Sequence, residues 1–395
     1  MDIDLTAPAH DADPFALFDQ LRQIGPVVRS DRHRAWLAVT HEAVLDGLKA
    51  PWLSSDRVPT FERIAASRPK SFQVVVDVLR GWMVFRDPPE HTTLREPVRR
   101  AFTPKRIADL RNDIEVIADD LLASIDADHP GRFDLRADYA QPLPALVIAQ
   151  LLGVPAADRE AFAQWSDQLS AVVFSAEGGG AGEGAAIAAQ RFTEYFTDLA
   201  EQRRAHPTDD LISALVHASA IDPADLVGAC TLLLFAGHET TAGLIANGTA
   251  LLLEHPDDLD RLREDPSLWP TAVDELLRRA SPAKTMVRKA LEDHRWFDAD
   301  IRAGDTVFLG LLAASNDPAV FAEPHRLDVG RQPNPHLGFG WGLHHCLGAA
   351  LARLEAEVAL RRLLDRYPKL HLDGPVGWGG GVLGRAAWLP PVLTA

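Results

Sequence analysis

The feature that most constrains this sequence is a glycine-rich segment near its end that presents a single cysteine. Residues 339–348 read FGWGLHHCLG. Apolar residues at helical spacing follow, so we predict a helix from Ala349 to about Leu364. Cys346 would then lie beside the N-terminus of that helix, where unpaired N–H groups and the helix dipole stabilise the thiolate.

The residues alone leave three roles open for Cys346. It could be a small buried apolar residue, as a lone cysteine often is. It could join His344 and His345 as a metal ligand, although consecutive side chains splay apart and no second CxxC or HxxxH pair completes a tetrahedral site. A thiolate at a helix end is also suited to bind a haem iron, and the glycines would let the backbone lie against a large flat group.

The segment resembles the haem-binding loop of the cytochrome P-450 family, F-G-x-G-x-[HR]-x-C-x-G, at every fixed position. The resemblance implies a mainly α fold with small β-sheets, arranged as a triangular helical prism. It also implies haem b (iron protoporphyrin IX) between a long central helix and the cysteine loop, with Cys346 as the axial thiolate ligand. Residues 1–395 would form a single domain of this family.

A helical pattern over residues 222–253 is apolar on nearly all sides, which predicts a central buried helix. It contains Glu239 and Thr240. From the residues alone, Thr240 bonds back to the carbonyl four residues earlier with Glu239 turned to solvent, or it releases that carbonyl and widens the helix locally. The stretch resembles the family's oxygen-activation motif, [AG]-G-x-[DE]-T-[TS], which implies that Thr240 hydrogen-bonds the dioxygen at the iron and that Glu239 serves proton delivery.

Glu275 and Arg278 lie one helical turn apart and on one face. They could be an exposed surface pair of little energetic weight. They also resemble the family's E-x-x-R motif, with Arg331 at the position of the second arginine. This implies a buried set that fixes the loop carrying Cys346, because bidentate bonds between arginine and carboxylate are directional.

His91 and Arg95 are spaced to share one helix face, where they could be solvated or could grip an anion. Pro97 follows and interferes with hydrogen bonding to the preceding turn, so this helix would be kinked or would begin later. The pair resembles the family's H-x-x-x-R pair. By the same resemblance, His91, Arg95, Arg288 and His344 would bind the two haem propionates.

Composition excludes some classes of partner and favours one cellular location. The formal net charge of −16 argues against nucleic acid and against an anionic membrane surface. The two cysteines exclude a disulfide framework and favour a reducing compartment. The acidic start shows no signal peptide, and the best apolar run, Leu226 to Ala246, is interrupted by polar residues. We therefore expect a cytoplasmic protein without a membrane span.

Several segments between the motifs bear on the substrate. Residues 54–89 predict a loop with short helical pieces folded over a pocket, and Gly178–Gly180 predicts a linker or the hinge of a lid. A pocket lined there and near Val382–Leu383 would be apolar, so the substrate would be hydrophobic. Lys284 would point to solvent or backbone, or would favour a substrate carboxylate if it faced the haem.

The resemblance implies a monooxygenase that inserts one oxygen atom from O2 into a small hydrophobic organic substrate. Electrons would come from NAD(P)H through a ferredoxin reductase and a ferredoxin. A peroxide-using or coupling haem-thiolate enzyme of the same fold, and a haem sensor without turnover, remain alternatives. A basic patch could dock the acidic ferredoxin. It would draw on Arg99, Arg100, Lys105, Arg106, Arg111, Arg353, Arg361 and Arg362.

Overall fold

The computed structural model describes residues 3–5, 7, 10, 13–174, 182–218, 221–379, 384 and 386–394. Helices dominate this part of the chain and the sheets are small, which confirms the predicted fold class. In chain order the helices are α1 (Pro14–Ile24), α2 (His41–Lys49), α3 (Val58–Ala65), α4 (Gln73–Arg80), α5 (Glu90–Ala101), α6 (Pro104–Asp109), α7 (Arg111–Asp128), α8 (Pro142–Leu152), α9 (Arg159–Phe174), α10 (Gly182–Ala205), α11 (Leu211–Ala218), α12 (Pro223–Glu254), α13 (Pro256–Glu264), α14 (Trp269–Ala280), α15 (Leu311–Ala314) and α16 (Ala349–Arg366).

The strands are short and lie mainly near the two ends of the chain. They are β1 (Val27–Ser30), β2 (Ala35–Ala38), β3 (Leu53–Ser54), β4 (Arg132–Phe133), β5 (Met286–Ala290), β6 (His294–Trp296), β7 (Ala299–Ile301), β8 (Thr306–Leu309), β9 (His371–Leu372), β10 (Gly377–Gly379), β11 (Ala386–Trp388) and β12 (Val392–Leu393). Strands β1 and β2 form an antiparallel hairpin, and β5 pairs with β8 in the same orientation.

Contacts divide the chain into two compact units. The first comprises Met1–Ser54, Arg111–Leu143 and Thr240–Ala395, and the second comprises Ser55–Leu110 and Pro144–Glu239. The boundary thus falls inside α12.

The first unit is organised by a five-stranded sheet in the order β1-β2-β8-β5-β3. Strand β2 pairs with β8 in parallel, and β8 pairs with β5 in antiparallel register, with Met286 opposite Leu309. Helix α2 buries Ala43 and Val44 in the same apolar cluster as Val307 and Leu309. This burial fixes the end of α2, which supports the cysteine loop described below.

The second unit consists mainly of helices. Aromatic side chains join α9 to α10: the Phe162 ring lies 5.5 Å from that of Phe192 and 5.4 Å from that of Phe196. The region 54–89 holds α3, α4 and short 3₁₀ turns, as predicted in outline. The predicted hinge at Gly178–Gly180 and the predicted apolar tip at Val382–Leu383 lie outside the described residues.

Helix α12, with 32 residues, is the long helix that its apolar pattern predicts. Among the helices of the described part, it alone is long and apolar enough to cross a membrane. However, 67% of its most apolar window is buried inside the protein, as in the core helix of a globular fold.

Candidate active site

The cysteine loop is held by its own backbone before it enters α16. The N–H of Cys346 donates to the carbonyl of Phe339 (2.9 Å), so the two ends of the loop meet. Gly340 and Gly342 have φ angles of +68° and +69°, a conformation that strains other residues. Cys346 is half-buried and lies three residues before Ala349, where α16 begins. The predicted position of the cysteine beside a helix N-terminus is therefore confirmed.

The outer side of the loop rests on helix α2. A Cβ atom at Gly342 would lie 3.4 Å from the carbonyl oxygen of Leu48, so the loop and the helix are in close contact. The ammonium of Lys49 lies 5.9 Å from the ring centroid of Trp341. Both contacts involve the middle of the cysteine loop, whereas the hydrogen bond from Cys346 to Phe339 joins its ends.

Asp274 on α14 links both flanks of the cysteine loop. Its carboxylate accepts from Nε of Arg353 (2.7 Å), which follows Cys346 on α16, and from Nε2 of His336 (3.3 Å), which precedes it. Burial raises the pKa of Asp274, but these two hydrogen bonds outweigh it and hold the pKa below its usual value. The Arg353 guanidinium also lies 4.5 Å from the ring centroid of Phe339. No sequence motif marks this link, so it could not be predicted from the sequence.

Next to it, Glu275 lies at the centre of the predicted buried cluster. Arg278 donates to both carboxylate oxygens (2.7 and 2.8 Å), and Nε of Arg331 lies 3.1 Å from each oxygen. Glu275 and Arg278 are fully buried. Asn334, just before the cysteine loop, adds a bond of 3.3 Å. The prediction of a buried set rather than a surface pair is confirmed, and the surface interpretation is wrong.

The arginines of this cluster bring one more positive charge than Glu275 neutralises. Backbone carbonyls of one segment absorb the excess: Arg278 donates to Pro324 (2.8 Å) and Arg326 (3.1 Å), and Arg331 donates to Ala322 (2.8 Å). Because each guanidinium is satisfied in several directions, the segment that leads into the cysteine loop has one preferred geometry.

One turn of α12 interrupts the burial of that helix. Residues 241–250 are all buried, as are residues 231–234, whereas Ala236 and Thr240 are exposed and Glu239 is half-buried. Ala236 and Thr240 are four residues apart and therefore share a face. The helix remains regular through this turn. Every residue of α12 is α-helical, so the structure does not show the locally widened helix.

These features fit a haem. The candidate iron ligand is a half-buried thiol at the N-terminal side of an 18-residue helix, where a thiolate is stabilised. In the same unit as Cys346, Thr240 presents a small exposed side chain on α12, against which a flat group can lie. Cys346 would hold the iron through Sγ. In the described residues no cluster of histidine, cysteine and carboxylate side chains suits another metal ion.

His91 and Arg95 lie on one continuous helix. Helix α5 begins at Glu90 and continues past Pro97 to Ala101, so the predicted later start is wrong. His91 is buried and Arg95 is half-buried. Burial first, and then the charge of Arg95, lower the pKa of His91 to about 4 against the opposing effect of Asp87. The imidazole is therefore neutral near pH 7 and would bind a carboxylate as a hydrogen-bond donor.

The other two predicted propionate ligands belong to the first unit. Arg288 lies on β5, buried, with Nη1 donating to the carbonyl of Val287 (2.9 Å). His344 is half-buried in a short 3₁₀ turn of the cysteine loop, and His345 is exposed. Lys284 is buried, and its ammonium lies 3.5 Å from the carbonyl oxygen of Leu5. This agrees with the predicted contact of Lys284 with backbone.

The predicted basic patch is largely neutralised. Arg99 and Arg100 both pair with Glu96 (2.8 Å each), and Arg106 pairs with Asp209 (3.0 Å). The remaining arginines behave alike, with carboxylates at 3.1 Å for Arg111, 2.7 Å for Arg353, 3.8 Å for Arg361 and 2.6 Å for Arg362. Arg99 and Arg100 share the single charge of Glu96 and keep one positive charge between them, whereas each of the other five arginines has a carboxylate of its own. These arginines therefore offer an acidic partner less attraction than the sequence predicts.

Comparisons with known proteins agree with this site. A family model described as Cytochrome P450 matches residues 181–373. The polyketide biosynthesis cytochrome P450 PksS of Bacillus subtilis (strain 168) is 36% identical over 372 residues, which cover 91% of this chain and 89% of that relative.

Solved structures extend the likeness to the fold. The myxobacterial cytochrome P450 CYP267B1, in complex with myristic acid, is 39% identical, with a TM-score of 0.86 over 99% of this chain and 98% of that one. CxnD, a cytochrome P450 for C–S bond formation in chuangxinmycin biosynthesis, is 36% identical, with a TM-score of 0.85 over 96% and 94% of the two chains. The chain therefore belongs to the cytochrome P450 family, and it is an oxidoreductase of the P450 monooxygenase class.

Proposed function

We propose that this protein inserts one oxygen atom from O2 into a small hydrophobic organic substrate. The observation that carries the proposal is the setting of Cys346, a half-buried thiol at a helix N-terminus in a loop held from both flanks. Haem b, when bound, supplies the redox chemistry that activates O2. The protein contributes the thiolate, the orientation of the substrate, and protons.

The roles of individual residues follow from their positions. Cys346 would be the iron ligand, and the neutral imidazole of His91, with Arg95, Arg288 and His344, would bind the propionates. Four donor side chains for two carboxylates would offset the cost of burying the cofactor's charge.

Reduction of oxygen consumes protons, so a proton route must reach the place where O2 would bind, opposite the cysteine. Thr240 is on the exposed turn of α12, and its Oγ1 would hold a proton at the reacting oxygen. The half-buried carboxylate of Glu239, next in the chain, would exchange protons with water.

The electrons would come from NAD(P)H through a ferredoxin reductase and a ferredoxin in the cytoplasm. A reducing compartment suits a chain in which neither cysteine forms a disulfide. Because the arginines considered above are paired, docking of a ferredoxin would depend on shape and apolar contact more than on a positive field.

A hydrophobic substrate is supported by the relatives. One is named for polyketide biosynthesis and another was solved with myristic acid. Myristic acid has a long apolar chain, and polyketides have a carbon backbone that is largely apolar.

The class is tested by the spectrum of the reduced protein with carbon monoxide. A thiolate ligand gives a strongly red-shifted Soret band, which we expect in the parent protein. Turnover is then tested with a ferredoxin system and, separately, with hydrogen peroxide. Oxygenated product with ferredoxin and NADPH supports the proposal, and product with peroxide alone contradicts the proposed electron route.

One alternative has an observation in its favour. CxnD shares this fold at 36% identity and forms a C–S bond, so a coupling reaction is compatible with the scaffold. A product that gains a new bond between two substrate atoms and no oxygen from labelled O2 would establish it. A haem sensor would consume no NADPH with any substrate.

A further inference from the structure

The carboxylate of Asp274 on α14 binds both sequence flanks of the cysteine loop through a single oxygen. Its Oδ1 lies 2.7 Å from Nε of Arg353 and 3.3 Å from Nε2 of His336. His336 comes three residues before the loop begins at Phe339, and Arg353 comes seven residues after Cys346. An ordinary ion pair between Asp274 and Arg353 would join two helices and contribute little to stability. The bond to His336 connects the carboxylate to the segment that leads into the loop.

The hydrogen bonds around His336 determine which ring nitrogen carries hydrogen. The backbone N–H of Gly338 donates to Nδ1 (3.2 Å), so this nitrogen carries no hydrogen. The pKa of Asp274 lies below its usual value, so the group is a carboxylate at neutral pH and can only accept. Nε2 must therefore carry the hydrogen that His336 donates to Asp274. The ring is neutral in this geometry, since a protonated imidazole has no acceptor left for Gly338.

The imidazole of His336 is enclosed as well as hydrogen-bonded. Its side chain is only 4% exposed, and a Cβ atom at Gly338 would lie 3.2 Å from Nδ1. Without the carboxylate of Asp274, the hydrogen could occupy either nitrogen of the ring. On Nδ1 it would face the N–H of Gly338 and break that bond. Asp274 therefore selects the form of the ring that can hold the backbone of Gly338.

Both partners of the carboxylate contact Phe339, the first residue of the cysteine loop. Gly338, held by His336, directly precedes Phe339, and the two rings lie 5.9 Å apart. The Arg353 guanidinium lies 4.5 Å from the centroid of the Phe339 ring. The carbonyl of Phe339 in turn accepts from the N–H of Cys346 (2.9 Å). The position of Cys346 thus depends on Phe339, which is held from two sides by groups that the carboxylate orients.

We propose that Asp274 is a positioning residue for the iron ligand. Through the ring of His336 and the guanidinium of Arg353 it holds Phe339. Phe339 then holds the backbone of Cys346, so that the sulfur stays on the iron as a thiolate. A carboxylate that orients a histidine is a recurring support of metal sites, although here the histidine holds the backbone and not the metal ion. The proposal depends on the proposed role of Cys346 as the ligand.

The test follows the thiolate band of the reduced carbon monoxide complex over time, with haem-loaded proteins matched for haem content. In the parent the band should persist. In Asp274→Ala we expect the rate of its loss to rise at least about tenfold, because charge-assisted hydrogen bonds to both flanks are removed. Asp274→Asn keeps an oxygen that can accept from both partners, so it should retain most of the persistence of the band.

Glu115 provides the matched control. It accepts from Nη2 of Arg362 (2.6 Å), which lies further along the same helix α16. The side chains of Glu115 and Arg362 are 31% and 38% exposed, close to 30% and 40% for Asp274 and Arg353. Glu115→Ala removes a similar ion pair and should leave the band as persistent as in the parent. Urea unfolding of both alanine variants separates loss of the fold from loss of the ligand.

Nitrogen chemical shifts of isotope-labelled histidine report the hydrogen of His336 directly. In the diamagnetic carbon monoxide complex, the ring is identified by the signals that disappear in His336→Asn. We expect hydrogen only on Nε2 in the parent and exchange between both nitrogens in Asp274→Ala. The spectrum of the parent also decides the question if Asp274→Ala does not fold.

His336→Asn tests whether Asp274 acts through the ring. An asparagine at this position can still accept from the N–H of Gly338, as in an Asx turn, but it has no tautomer to select. The thiolate band of His336→Asn should therefore be less sensitive to Asp274→Ala than that of the parent. Additive effects of the two substitutions would mean that the residues act independently, and would overturn the proposal.

Three other results would also overturn it. They are an unchanged rate of loss in Asp274→Ala, an equal increase of that rate in Glu115→Ala, and hydrogen on Nδ1 of His336 in the parent. Absence of the thiolate band in the parent would reject the role of Cys346 and with it this proposal. A normal band in the parent with an unchanged rate in Asp274→Ala rejects only the role of Asp274.

Discussion

The two cysteines of this chain show how backbone setting decides what a thiol can do. Cys230 lies inside α12, fully buried, and burial, with a smaller effect from Asp210, raises its pKa. Cys346 is half-buried in a loop whose glycines and hydrogen bonds place it before the N-terminus of α16. The first environment favours a neutral, inert thiol and the second favours a thiolate.

Replacement of the ligand tests this comparison with the largest expected effect. Cys346→Ser should abolish the red-shifted band of the reduced carbon monoxide complex and all ferredoxin-supported turnover, because an alcohol does not ionise near pH 7. The measurement is the difference spectrum of protein matched for haem content. Helical content measured by circular dichroism provides the control for folding. A persistent thiolate band in Cys346→Ser would reject Cys346 as the ligand.

The scaffold of the loop can be broken without touching the sulfur. Glu275→Gln removes the charge that the buried Arg278 and the half-buried Arg331 share, and loss of one partner of a buried pair costs about 3–5 kcal/mol. We expect a lower free energy of unfolding in urea and a larger fraction of protein without the thiolate band.

The matched control for Glu275→Gln is a glutamate in exposed pairs. Glu96 binds Arg99 and Arg100 at the surface, where water screens ion pairs, so Glu96→Gln should change the free energy of unfolding far less than Glu275→Gln does. Equal losses in the two variants would show that the buried cluster has no special role in holding the loop.

Burial also keeps an imidazole neutral, as it does the thiol of Cys230. The pKa of His91 is about 4 in the folded protein against about 6.5 in an unfolded chain. The folded state therefore binds fewer protons than the unfolded chain between these two pH values. The contribution of His91 to the free energy of unfolding is fully present above about pH 6.5 and is lost as the pH falls towards 4. Between pH 7 and pH 5 the loss attributable to His91 should be on the order of 2 kcal/mol.

Urea unfolding of the parent and of His91→Leu measures this loss. The variant has no imidazole to titrate, so its free energy of unfolding should change less between pH 7 and pH 5. Parallel pH profiles for the two proteins would mean that His91 is protonated equally in the folded and unfolded states.

The same contrast explains what could be predicted from the sequence. The cysteine loop, the Glu275 cluster and α12 were predictable because their residues are local in sequence or follow a family motif. Strands β5 and β8 were predictable because an alternating pattern marks them. The link from Asp274 to His336 and Arg353 was not, since its members are far apart in the chain and have no characteristic spacing.

Residues 54–89 show the limit most clearly. Arg57, Phe85 and Phe235 come together only through tertiary packing, at separations that no helix or strand period produces. The backbones of Gly81 and Gly228 approach each other closely, which allows this packing. A Cβ atom at Gly81 would lie 2.8 Å from the Cα atom of Gly228, so both positions require glycine. A sequence pattern reports the face of one element, whereas this arrangement depends on two elements that meet at a single point.

The smallest effect is expected at the other cysteine, and it tests the comparison from the opposite side. Cys230→Ala removes one buried sulfur from α12 and should cost about 1–2 kcal/mol, for lost apolar contact and a small cavity. The thiolate band and the rate of turnover should stay those of the parent, because a neutral thiol provides only volume. Urea unfolding and the carbon monoxide spectrum measure the two quantities. If Cys230→Ala weakened the thiolate band more than Glu275→Gln does, the state of Cys346 would depend on α12 more than on its own loop.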